Sequence, residues 1–176
     1  MRLILITGPK HSGKTLCAHA LGNITGRETA DLDGLVEQMT GKTPRALFKE
    51  GPEVFRKAEA EALAFAMRQS RNGLIIAAGG GLSDNPEALA LLSRNSDFFI
   101  VYLDVSAETA WRRILHTAAG GELPPFLNTE NPRETHSALH GRRAKAYRAL
   151  AHFTIDAENK TPDEIAREIA RYPELW

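Results

Sequence analysis

The chain has 176 residues, with 22 Lys and Arg balanced by 22 Asp and Glu, six His and one Cys. That length suits one domain with its own core, and 43% hydrophobic with 25% charged residues is a globular composition. Zero net charge argues against a nucleic-acid binder working by bulk phosphate neutralisation; a lone Cys leaves no intramolecular disulfide and points to a reducing compartment, and no apolar run approaches a membrane span.

Residues 2–7 (RLILIT) are an aliphatic run stopped by Gly8-Pro9, which predicts a buried strand. Residues 14–22 predict a helix closed by Gly22, with Cys17 as a small buried side chain. A polar connection leads to Asp31-Leu32-Asp33. Leu35, Val36 and Met39 then space like a helix face, which Thr40 to Pro44 breaks. From Pro52 to about Arg71 the composition is helical, with Pro in the first turn. Residues 74–78 read as a second buried strand before Gly79-Gly80-Gly81. A helix is expected from Asn85 to about Arg94, and a strand over 97–104. Ser106 is an N-cap signature. Residues 117–130, rich in Gly, Pro, Thr and Asn, read as a mobile loop. A basic helix over 132–149, a strand over 152–156 and a terminal helix opened by Thr161-Pro162 complete the chain. Strands alternating with helices predict an α/β fold, a three-layer α/β/α sandwich on a parallel sheet.

Residues 8–15, Gly8-Pro9-Lys10-His11-Ser12-Gly13-Lys14-Thr15, match the phosphate-loop pattern GxxxxGK[ST] in full, between a strand and a helix. Small residues let backbone N–H groups curl around phosphate oxygens, and the helix N-terminus adds partial positive charge. Lys14 is then suited to the β- and γ-phosphates and the Thr15 hydroxyl to Mg²⁺. A nucleoside triphosphate is the expected ligand. No Asn-Lys-x-Asp stretch is present, which excludes guanine reading of the familiar kind. The six histidines show no metal-binding spacing, and none is assigned a catalytic role.

Three further stretches, ADLDGLVEQMTGKTPRALFKEGPEVFRKAE at 30–59, AAGGG at 77–81 and GRRAKAY at 141–147, follow the phosphate loop in order. Together the four resemble the shikimate kinase family over nearly the whole chain. The resemblance implies one P-loop NTPase domain over 1–176, of the nucleoside-monophosphate-kinase-like type. Its substrate-binding helical region would lie at about 33–62 and its lid at about 114–132. It also implies MgATP-dependent phosphorylation of the shikimate 3-hydroxyl, giving ADP and shikimate 3-phosphate on the route to aromatic amino acids. The partner is then a small molecule, with neither nucleic acid nor membrane, and the chain a cytoplasmic monomer.

Residue by residue, the resemblance makes Lys14 and Asp33 catalytic. Gly8, His11, Ser12, Gly13, Lys14 and Thr15 would bind the phosphates, and Thr15 and Asp31 the Mg²⁺. Arg113 (with Arg112 as the alternative) and backbone near Pro162 would meet adenine. Asp33, Arg56, Glu59, Gly79, Gly80, Gly81 and Arg143 would bind the acceptor, with the two arginines gripping its carboxylate. Phe48 and Phe55 would be apolar wall, and Arg142 a surface or structural charge. A spacing of two on an extended segment is expected to turn the Asp31 and Asp33 carboxylates to different sides, so that they serve metal and substrate separately.

Two departures stand out. Pro124, in Leu123-Pro124-Pro125-Phe126-Leu127, takes the place of the family's lid Arg, and no Lys or Arg lies between Arg113 and Arg133. His11 stands where the family usually has Gly. Three alternatives follow from the first. Another cation, Lys10 or Arg142, substitutes; or the chain is a nucleotide-binding relative with weak or no activity; or it phosphorylates a different small hydroxy acid.

Overall fold

The computed structural model describes residues 2–69, 73–118 and 122–172. Five strands, β1 (Leu3–Thr7), β2 (Thr29–Asp31), β3 (Ile75–Ala77), β4 (Phe98–Asp104) and β5 (Phe153–Asp156), form one sheet in the order β2-β3-β1-β4-β5. Every pairing is parallel, with Ile4 opposite both Ile75 and Phe99. Helices cover both faces, which is why the central strands read as unbroken apolar runs rather than alternating ones.

The alternation inherent in a strand nonetheless sorts the side chains. Ile4, Ile6, Ile75, Ala77, Phe99 and Val101 pack on one face with α1 (Lys14–Thr25), α6 (Ala107–Thr117) and α8 (Pro162–Ala170). Leu3, Leu5, Ile76, Phe98 and Ile100 pack on the other with α2 (Leu32–Thr40), α3 (Pro44–Glu50), α4 (Pro52–Gln69) and α5 (Pro86–Ser93). On that second face Tyr102 stacks on Tyr147 of α7 (Pro132–Leu150), ring centroids 5.6 Å apart.

Local chemistry sets most boundaries. Ser106 and Thr161 cap α6 and α8 as the sequence predicts, and Thr161 with Glu164 closes a reciprocal capping box. Gly22 does not end α1. It is buried inside the helix, which runs to Thr25 and is capped by Gly26. Two elements escape the sequence reading. β2 is three half-buried residues within what reads as a polar connection. Residues 44–50, beyond the break at Thr40 to Pro44, form α3, with the Thr43 side chain capping Ala46 N–H and Pro44 in its first turn. The expected end of α4 at Arg71 and part of the expected loop over 117–130 fall outside the described residues. Within that loop, α6 continues to Thr117 and Pro125–Leu127 make a 3₁₀ turn. No described helix is long and apolar enough to cross a membrane.

Parallel strands put their carboxyl ends at one edge. The phosphate loop leaves β1, the three glycines leave β3, and Asp31 ends β2. Since β3 lies between β1 and β2, these three stretches are neighbours at the edge where open α/β sheets bind ligands.

Candidate active site

A cavity of about 620 Å³ opens at this edge, a size that suits small-molecule sites. Phosphate-loop residues Lys10, His11, Gly13, Lys14 and Thr15 line one side. Asp31, Asp33, Arg56, Glu59, Gly79, Gly80, Gly81 and Arg143 line the remainder, with Phe48 and Phe55 as apolar wall. Thus the expected nucleotide and acceptor residues largely share one chamber. Gly8 and Ser12 are buried within the loop and, like Arg113 and Pro162, are not part of the lining.

His11 is the one non-glycine among the described residues with positive φ, at 60°. Its chain thus takes the left-handed turn that a Gly would adopt without Cβ strain. Burial and then the charges of Lys10, Lys14 and Arg113 push its imidazole down to about 4, so it is neutral at pH 7. Lys14 is buried, and its ammonium donates to the Pro9 carbonyl at 2.8 Å. Burial, opposed by Asp33 and reinforced by Lys10, lowers its pKa to about 8. Ser12 Oγ is buried without a hydrogen-bond partner. A loop that strands a hydroxyl and desolvates an ammonium is built for an anion to supply what is missing.

Thr15 Oγ1 donates to Asp31 Oδ2 at 2.6 Å, while Asp31 Oδ1 accepts from the N–H groups of Asp33 (3.0 Å) and Gly34 (3.2 Å). Asp31 therefore caps α2 and faces the phosphate loop at once. A hydroxyl beside one carboxylate fits Mg²⁺, which keeps several waters and completes its shell with phosphate oxygens. Among the described residues no group of three or more His, Cys, Asp or Glu stands ready for a metal.

Asp31 meets Thr15 while Asp33 Oδ1 lies beside Gly79, so the two have different neighbours, but not because they lie on an extended segment. Residues two apart on a strand would share a face; here α2 begins at Leu32 and its first turn rotates Asp33 away. The Asp33 pKa is raised by burial and by Asp31, with Lys10 and Lys14 pulling it back. Glu59 is fully buried, and burial pushes its carboxyl up to about 7 against the pull of Asn85. Its Oε2 accepts from Asn85 Nδ2 at 3.0 Å and its Oε1 has no partner. A Cβ on Gly79 would meet Glu59 Oε1 at 2.8 Å and Asp33 Oδ1 at 3.1 Å, so only glycine leaves both carboxyl groups in place.

Arg56 does not pair with Glu59. Its Nη1 donates to Glu53, and its backbone carbonyl accepts from Asn85 Nδ2 at 2.7 Å. Arg143 gives both Nε (2.9 Å) and Nη2 (2.7 Å) to Asp84 Oδ2, which leaves Nη1 and a second Nη2 hydrogen for a ligand carboxylate. Arg142, largely exposed, pairs with the other Asp84 oxygen at 3.0 Å. Of the two candidate arginines on α6, Arg113 reaches the phosphate loop by donating to the His11 carbonyl at 3.2 Å, whereas Arg112 donates to Thr109.

Sequence reasoning missed Asp84, Asn85 and Tyr147. Tyr147 is buried and donates to the Gly80 carbonyl at 3.1 Å, tying α7 to the glycine turn. Tyr147 closes the GRRAKAY stretch, which points to no role for it, and neither Asp84 nor Asn85 carries a local motif; the Asn-Pro step at 85–86 signals only a helix start.

A family model described as shikimate kinase matches residues 10–173. The shikimate kinase of Caldanaerobacter subterraneus subsp. tengcongensis is 34% identical over 172 residues, 97% of this chain and 95% of that relative. That of Thermobifida fusca is 35% identical over 171 residues, 96% and 93% of the two chains. The solved structure of shikimate kinase from Acinetobacter baumannii in complex with shikimate superposes with a TM-score of 0.85 at 29% identity, covering 97% of this chain and 92% of that one.

Proposed function

The chain belongs to the shikimate kinase family, and we propose that it transfers the γ-phosphoryl group of ATP to the 3-hydroxyl of shikimate, a step toward aromatic amino acids. The observation that carries the reading is one cavity lined by both the phosphate loop and an acid–arginine set (Asp33, Arg56 and Arg143).

Lys14, the loop N–H groups and Ser12 bind the β- and γ-phosphates, with Gly8 and Gly13 keeping the loop tight. Thr15 and Asp31 would hold Mg²⁺, which would supply positive charge to the phosphates. Arg113 and the backbone near Pro162 border the adenine. Arg56 and Arg143 fix the acceptor carboxylate, while Glu59 and the backbone of Gly79, Gly80 and Gly81 fix its ring hydroxyls. Asp33 accepts the proton as the acceptor oxygen bonds to the γ-phosphorus and the bond from that phosphorus to the β-phosphate oxygen breaks. ADP and shikimate 3-phosphate are the products.

Residues 1–176 act as one domain, with helices over about 33–62 gripping the acceptor and the segment at about 114–132 as lid. We take the chain to be a monomer on the family resemblance alone, and the free buried Cys17 supports a reducing, cytoplasmic setting. A coupled assay with MgATP tests the function: ADP release should depend on shikimate. Folded protein that binds MgATP but gives no such release overturns it.

A further inference from the structure

We propose that Lys10, the third residue of the phosphate loop, is a catalytic residue whose ammonium neutralises the γ-phosphoryl oxygens on the acceptor side, opposite Lys14. This rests on reading the site as an ATP-dependent phosphotransferase. Such transfers are accelerated almost wholly by positioning and by fixed positive charge around the transferring group.

Among the described residues, the Lys and Arg side chains lining the cavity are Lys10, Lys14, Arg45, Arg56 and Arg143. Four of them are engaged. Lys14 donates to Pro9, Arg45 pairs with Glu122, Arg56 with Glu53, and Arg143 with Asp84. Lys10 makes no hydrogen bond and no ion pair with any described residue, although it lines the chamber. The segment over the cavity offers no substitute. It contributes Pro124, Pro125 and Phe126 to the lining, and no Lys or Arg lies between Arg113 and Arg133. Arg142 is spent on Asp84 at the surface, and Arg113 on the carbonyls of His11 and Glu158.

The position of Lys10 fits the task. A Cβ placed on Gly80 would stand 3.0 Å from Lys10 N and 3.3 Å from its Cα. The Lys10 backbone is therefore seated against the glycine turn, at the seam between phosphate cradle and acceptor wall. From there its charge opposes protonation of Lys14 and His11 and favours ionised Asp33, so its field spans the site. A flexible stem with a compact ammonium suits a group that must follow a moving phosphoryl.

The test compares the full-length protein with Lys10→Met and the conservative Lys10→Arg. The first readout is how much aluminium fluoride, a mimic of the transferring phosphoryl, tightens MgADP binding; the second is kcat with shikimate. Lys10→Met should bind MgADP alone within about threefold of the parent, which also reports folding, yet lose about 10²-fold in fluoride tightening and in kcat. Lys10→Arg should recover most of both. Tightening that survives in Lys10→Met overturns the proposal, as does a parent protein that shows no tightening. A parent that tightens normally but releases no ADP with shikimate removes the acceptor reading and leaves the role of Lys10 supported.

Discussion

Buried ionisable groups give this site pH signatures that belong to single residues. Lys14, held at about 8 by burial, should regain a higher pKa when phosphates surround it, because nearby negative charge favours the ammonium. Nucleotide binding above pH 8 is then coupled to proton uptake, and MgATP affinity should fall by up to about tenfold per pH unit in that range. Calorimetry at pH 9 in two buffers of different ionisation enthalpy measures the proton; identical heats would refute it. Glu59 is shifted the other way, upward, and the consequence falls on stability. Its carboxyl, raised to about 7 in the fold against an ordinary 4.5, favours the native state fully below 4.5, and that contribution is lost as pH rises through 7. Glu59→Gln should therefore stabilise the ligand-free protein by about 3 kcal/mol at pH 8 and change little at pH 4.5. Unfolding curves at the two pH values decide it.

At the scale of elements, the site depends on backbone meeting backbone where the loop after β1 passes the turn after β3. Gly80→Ala pushes a methyl to 3.0 Å from Lys10 N, and neither stretch can yield without moving its ligand groups. The variant should lose about 1–3 kcal/mol of stability and weaken nucleotide and acceptor binding together. Gly141→Ala, in α7 with open space around it, is the matched control and should gain up to about 1 kcal/mol. Thermal melts and nucleotide titrations on the pair separate a steric clash from a general cost of alanine. Most elements were legible because apolar runs, prolines and caps such as Ser106 act within a few residues. β2 was not, since three residues reading Thr-Ala-Asp carry no period and owe their pairing to β3. Nor was α3, seven residues beyond a break that looked final.

Across the whole molecule, the same division holds for the site. The phosphate loop, Asp31, Asp33 and the glycines, which parallel strands deliver to one edge, and Arg56 and Arg143, which line the same cavity, could be read from spacing and resemblance. What steadies them could not. Asp84 lies 59 residues from Arg143, Asn85 26 from Glu59, and Tyr147 67 from Gly80. Such partners exist only after folding. Even charge follows this rule: the neutral sum conceals a basic stretch at 142–148 and a segment, 114–132, without Lys or Arg. The solitary thiol of the chain offers a way to watch the assembly breathe. Cys17 sits with no exposed surface three residues past Lys14, facing the core shared by α1 and β1, and burial raises its pKa to about 11. A thiol reagent can reach it only when the start of α1 lifts from the sheet, so the labelling rate counts those openings. Saturating nucleotide should suppress them in proportion to occupancy, slowing the reaction by about 100-fold at a hundred times Kd. An unlabelled protein thus carries its own clock for the opening of its phosphate cradle, and a rate indifferent to nucleotide would show that the helix moves independently of the loop.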